Sequence, residues 1–225
     1  MTIAANDPHA SGVVLHSGAP LDEADGLVIL LHGRGGSAED ILSLHFVMSR
    51  DLPGRRLAWL APQAHGYTWY PNSFLAPRAS NEPGLSSALR RIASLIEEAG
   101  RSGLGTERIV VGGFSQGACL STEFVASHPA RYAGLLAFTG GLIGPPGMPL
   151  DYTGDLAGTP ALLLSGDPDP HVPWTRVEES ATVLTGMGAQ VTTHRYPGRP
   201  HTVTGAEMDL GKRLIADAFS GLSAK

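Results

Sequence analysis

The chain has 225 residues, 42% hydrophobic and 16% charged, with 29 glycines and a formal charge of -5, and we read residues 1–225 as a single α/β domain with one buried core. With no basic stripe or run of like charges, neither nucleic acid nor an anionic membrane surface is an expected partner. Cys119 is the only cysteine, which excludes an internal disulfide framework and a thiolate metal cage and suits a reducing compartment.

From Met1 to Ser11 there is no basic segment ahead of an apolar run, so no secretory leader is expected. No apolar stretch approaches the roughly 20 residues that a bilayer requires, so we expect no transmembrane segment and a cytoplasmic location. Val13–Ser17 reads as an antiparallel edge strand. Five apolar runs then recur: Leu27–Leu31, Leu57–Leu60, Ile109–Val111, Leu135–Phe138 and Ala161–Leu164. They lack polar alternation, as strands of a parallel sheet covered on both faces do. Between them, Leu89, Ile92 and Ile96 mark a helix over Ser86–Ala99, and Val177, Ala181 and Leu184 mark another that closes at Gly186 and Gly188. Val191–Tyr196 is the expected last strand, and Leu210, Leu214 and Phe219 stripe a C-terminal helix. Alternating strands and helices imply right-handed crossovers and a mostly parallel central sheet with helices on both faces. Ala61–Gly84 is rich in proline, asparagine and aromatics and long for a plain connection, which marks either a functional loop or a surface loop capping the core.

Gly113-Phe114-Ser115-Gln116-Gly117 fits G-x-S-x-G. In the nucleophile elbow, this pattern holds a serine hydroxyl outward on a strained strand-to-helix turn. The match acquires weight from its setting, a buried strand before it and a helix over Ala118–Ser127 after it. A serine hydroxyl needs a base within hydrogen-bond reach and a carboxylate to fix that base's tautomer. Of the downstream histidines, His128 sits at a helix end and His194 inside a strand. His201 lies in a loop beyond the last strand, and we take it as the base. Two aspartates compete as the third member. Asp167 could cap its own turn, whereas Asp169, two residues further from the strand, is our choice. A metal site built from Asp167, Asp169 and His171 has no established ligand spacing, so neither a metal nor a cofactor is expected. Two N–H donors are needed for an oxyanion, and they are assigned to the backbones of Gln116 and Arg34, the latter in the glycine-rich loop after the first buried strand. That loop lacks the spacing of a dinucleotide or phosphate loop. His32 is expected to brace it.

Leu31-His32-Gly33-x-Gly35, Gly113-Phe114-Ser115-Gln116-Gly117, Gly166-Asp167-x-Asp169-x-x-Val172-Pro173 and His201 together resemble the phospholipase/carboxylesterase family of small α/β hydrolases. Thr139-Gly140-Gly141 is similar to that family's small-residue turn after the strand that follows the nucleophile helix. The resemblance implies an α/β-hydrolase fold and cofactor-free hydrolysis of a small-molecule ester or thioester through an acyl-enzyme at Ser115. It also favours Asp169 over Asp167, and it leaves a homodimer open. Arg34 and Arg199 depart from the family's usual residues, which speaks for short- to medium-chain esters. An acyl-protein thioesterase or lysophospholipase acting on longer chains is the alternative. A silent ligand-binding member of the fold, or a hydrolase acting on an amide, lactone or peroxide, is also compatible with the residues. Trp69, Phe74, Leu75, Leu142 and Ile143 are the expected walls of an acyl pocket.

Overall fold

The computed structural model describes residues 7–49, 52 and 55–220. Most of the segment read as lacking a leader, residues 1–6, lies outside the described residues. Seven strands form one sheet: β1 (Val14–Gly18), β2 (Gly26–Leu31), β3 (Leu57–Pro62), β4 (Ile109–Phe114), β5 (Gly134–Phe138), β6 (Pro160–Asp167) and β7 (Gln190–Pro197). Their order is β1-β3-β2-β4-β5-β6-β7, with β1 antiparallel to β3 and every other pairing parallel. All residues of β2, β3 and β5 are buried, as expected for strands packed on both faces. Edge strand β7 instead alternates between exposed and half-buried positions.

Among the described residues, six helices cover the sheet: α1 (Ala38–Leu42), α2 (His45–Met48), α3 (Gly84–Arg101), α4 (Gln116–Ser127), α5 (Trp174–Gly186) and α6 (Gly205–Ser220). Leu85 and Ile92 of α3, Phe124 of α4 and Val177 and Leu184 of α5 join one core cluster. Ile41, Met48, Ile215 and Phe219 of α1, α2 and α6 join the second, across the sheet. The periodic stripes of α3, α5 and α6 are the ones that the sequence predicts, displaced at their ends by a few residues. Helices α1 and α2 are additional. With five and four residues they are too short to show a period, but α1 carries a capping box, in which Asp40 N–H donates to Ser37 Oγ and Ser37 N–H to Asp40 Oδ2. Between β3 and α3 the backbone makes only two 3-10 turns, His65–Tyr67 and Arg78–Asn81.

Successive strands are added on one side of β2 (β3) and then on the other (β4), so β2 and β4 enclose the switch point where a crevice opens beyond the strand ends. Their register pairs Leu31 with Gly113. At that crossing the backbones come close enough to fix two residue types. A Cβ on Gly117 would stand 2.0 Å from the Leu31 carbonyl oxygen, and one on Gly113 2.5 Å from the same atom. In an ordinary helix, Gly→Ala is favourable. Here the added methyl meets backbone that cannot yield, so Gly117→Ala is expected to destabilise the fold by about 1–3 kcal/mol. Urea denaturation checks this, and a variant as stable as the parent contradicts the packing described.

Candidate active site

Ser115 joins β4 to α4 at φ 55° and ψ -117°, a region that L-residues other than glycine rarely occupy and that costs about 1–3 kcal/mol. The turn is held from both sides. Ser115 N–H donates to Phe138 O of β5 at 2.9 Å, and Cys119 N–H donates to Ser115 O at 2.9 Å. Helix α4 behind it is buried along all but its last residue. Ser121 and Thr122 bond the carbonyls one turn back, while Glu123 pairs with Arg78 and accepts from Ile143 N–H and Tyr152 Oη–H.

His201, from the loop between β7 and α6, lies with Nε2 2.8 Å from Ser115 Oγ and Nδ1 2.8 Å from Asp169 Oδ2. An ionised carboxylate only accepts hydrogen bonds, so Nδ1–H donates to Asp169 and Nε2 is left to accept from the serine hydroxyl. Asp169 is fully buried on its side chain, and its other oxygen accepts the N–H groups of His171 and Val172 at 2.9 and 3.0 Å. Burial pushes this carboxyl up, but the His201 hydrogen bond and the two backbone donors outweigh it and hold it below the usual carboxylate value. The chain thus carries a hydroxyl, an imidazole and a carboxylate in one relay, an arrangement able to deprotonate an attacking hydroxyl. Asp167, the competing aspartate, pairs with Arg195 of β7 rather than capping its own turn.

Gly33 lies over Ser115, where an added Cβ would sit 3.3 Å from Ser115 Cβ. Gln116 is the first residue of α4, so its backbone N–H has no partner within the helix. The side chains of Arg34 and Gln116 act elsewhere. Gln116 Oε1 accepts from Trp69 N–H and its Nε2 donates to Tyr70 O. Arg34 donates to Thr68 Oγ1, Pro71 O and Asn72 O. Both therefore hold the aromatic loop in place over the cleft, a role that the sequence does not announce. His32 braces the loop after β2 as expected, donating from Nδ1 to Gly33 O and accepting Ala64 N–H at Nε2.

The cleft beside Ser115 measures about 810 Å³, and Phe74 and Leu75 line it together with Tyr70, Phe114, His171 and Val172. The remaining expected wall residues need correcting. Trp69 is fully buried, donates from Nε1 to His32 O, and packs against the rings of His9 and His32, so it supports the loop from below and does not face the cleft. Leu142 is buried in the core, its N–H donating to Ser180 Oγ. Ile143 borders a separate cavity of about 670 Å³ near Arg78 and Tyr152. Cys119 is buried at the cleft floor, where loss of solvation pushes its thiol up to about 12. No cluster of three metal-ligating side chains occurs among the described residues, and no described helix is long and apolar enough to cross a membrane.

Against this geometry, the sequence profile of the phospholipase/carboxylesterase family matches residues 18–217. The chain belongs to the phospholipase/carboxylesterase family. A crystal structure of a phospholipase/carboxylesterase from Dyadobacter fermentans superposes with a TM-score of 0.86 at 45% identity, covering 91% of this chain and 96% of that one. The carboxylesterase of Bacillus cereus shares the fold, with a TM-score of 0.73 at 21% identity over 93% and 95% of the two chains. Acyl-protein thioesterase 1 of Gibberella zeae is 31% identical over 137 residues, 59% of this chain and 57% of that protein. The chain spans about half the length of the first curated relatives that it matches. Of the two departures from the family's usual residues, only Arg34 borders the cleft. Arg199 is turned inward and buried.

Beneath the aromatic loop, His9 and His32 are 2% and 1% exposed, and burial lowers the pKa of both below 6.5. Each therefore binds a proton more readily unfolded than folded. Their contribution to stability is complete above pH 6.5 and is lost as the pH falls from there through their folded values. The melting temperature is expected to fall over that window, and to fall less in His32→Gln. Equal slopes in the two proteins would contradict the buried neutral histidine.

Proposed function

We propose that this chain works as one α/β-hydrolase domain that hydrolyses short- to medium-chain carboxylic esters. Ser115 is the nucleophile, His201 the general base and then acid, and Asp169 the group that fixes the imidazole tautomer. The observation that carries this reading is the relay of two 2.8 Å hydrogen bonds converging on a serine held in a strained turn. Ser115 Oγ attacks the ester carbonyl while His201 Nε2 takes its proton. The resulting oxyanion accepts from the backbone N–H groups of Gln116 and Arg34. Collapse transfers the proton from His201 to the departing alcohol and leaves an acyl-enzyme. Water then repeats the sequence with His201 as base and releases the acid.

The acyl-length preference is supported by the cleft itself. Its apolar lining, which includes Tyr70, Phe74, Leu75, Phe114 and Val172, is interrupted by polar Arg34, Asn72, Ser73 and His171. A long alkyl chain laid along it would cover those polar groups without offering them hydrogen bonds, which a short acyl group avoids. Thioesters are the second reading, favoured by the similarity to the Gibberella zeae thioesterase and requiring no change of machinery. The cytoplasm is the proposed compartment, on the strength of the lone unpaired cysteine.

Hydrolysis of p-nitrophenyl esters from acetate to palmitate tests the proposal. Turnover is expected to peak at short acyl chains and to fall on the order of 10⁴-fold or more in Ser115→Ala and His201→Ala with the fold intact. Asp169→Asn should lose about 10⁴-fold because the asparagine amide favours the wrong tautomer of His201. A long-chain optimum would overturn the proposed length preference, and retained turnover in Ser115→Ala would overturn the mechanism.

A further inference from the structure

Two residues before the base, Arg199 is buried, and its two terminal nitrogens meet four partners. Nη1 donates to Pro200 O and Thr202 O, both at 2.7 Å. Nη2 donates to Thr139 Oγ1 at 2.7 Å and stands 3.0 Å from Glu207 Oε1, an ion pair between side chains 6% and 0% exposed. The other oxygen of Glu207 accepts the N–H and the hydroxyl of Thr204, both at 2.8 Å. Pro200 and Thr202 are the residues on either side of His201, so one rigid planar group holds the carbonyls immediately before and after the imidazole.

The same group ties that loop to the rest of the site. Thr139 sits at φ 60° in the turn after β5, and its N–H donates to Leu164 O of β6. Gly166, at the end of β6 that leads to Asp169, packs so closely on the loop that a Cβ there would stand 2.5 Å from Arg199 O. Gly198 N–H donates to Asp167 O on the same strand. Glu207 belongs to the first turn of α6. Arg199 therefore joins the β5 turn, the helix start and the His201 loop at a single point. A buried guanidinium is tolerable only with a carboxylate opposite it, which accounts for Glu207 at full burial.

We propose that Arg199, neutralised by Glu207, is a positioning residue that fixes the His201 imidazole against Ser115 and Asp169. The proposal rests on the reading of His201 as the base. Lysine cannot replace the fork, since an ammonium is a single point charge and cannot meet both the two carbonyls held by Nη1 and the Thr139 hydroxyl and Glu207 carboxylate held by Nη2. Displacing a catalytic group by about 1 Å costs on the order of 10²-fold in rate, without contact between the altered residue and substrate.

The test uses the full chain with p-nitrophenyl acetate, well below the melting temperature, and compares Arg199→Lys and the double variant Arg199→Met/Glu207→Gln with the parent. The double variant removes both buried charges together, which spares stability compared with removing one. Both variants are expected to lose roughly 10- to 100-fold in kcat, with KM changed by less than about twofold. A merely structural pair would lower the melting temperature and leave kcat alone. Either variant decides alone if the other does not fold, and a folded variant with kcat within about twofold of the parent overturns the proposal. His201→Ala runs alongside. If it is inactive while the Arg199 variants are fully active, the clamp is wrong and the base stands; if it is active, the reading of the base itself fails.

Discussion

The geometry of the site follows from the turn at Ser115. A serine at φ 55° and ψ -117° stays there only if its surroundings over-determine the backbone, and three strands do this together. Strand β5 accepts the Ser115 N–H, β2 presses its Leu31 carbonyl against Gly113 and Gly117, and β4 delivers the chain into the turn. The hydroxyl is thereby presented at the switch point of the sheet, beside the end of β2 whose loop carries Gly33 and Arg34. Neither glycine accepts a methyl group, because β2 packs directly on β4 and α4 there, and this close approach brings the loop after β2 over Ser115.

Around this fixed point, most polar side chains near the cleft hold loops. Gln116 and Arg34 between them engage Thr68, Trp69, Tyr70, Pro71 and Asn72, and His32 and His9 support the same segment from the core side. The long segment after β3 has almost no regular structure of its own, yet its backbone groups find partners in side chains anchored on the sheet, as buried backbone must. A loop fixed in this way offers a cleft wall without the cost of ordering it when a substrate arrives. Arg199 does the same for the loop that carries His201, through the carbonyls of Pro200 and Thr202.

The parallel strands inside the sheet were legible because burial on both faces leaves unbroken apolar runs, and α3, α5 and α6 because each exposes one face and so keeps a helical period. Ser115, Asp169 and His201, which the fold brings within hydrogen-bond reach of one another, were singled out by order, by position at strand ends and by the family resemblance. Helices α1 and α2 were not read, being shorter than two turns, although Ser37-x-x-Asp40 carried the capping signal. The acyl wall was the weakest reading for a definite reason. Trp69, Leu142 and Ile143 are apolar residues near the motifs, and composition cannot distinguish a side chain that faces a cleft from one that faces the core; Trp69 faces His32 and the core. Arg199 was misread for the converse reason: a charge near the base suggested an effect on substrate, and its partner Glu207, eight positions on, shows its place only once the loop is folded.

The central claim is that Ser115 is a nucleophile activated by His201. Intact-mass spectrometry after exposure to a fluorophosphonate tests it most directly, because covalent capture needs the activated hydroxyl and no knowledge of the natural substrate. The account predicts a single adduct that maps to Ser115 and is abolished or strongly slowed in His201→Ala. An unlabelled parent protein, or labelling at the same rate without His201, would contradict it.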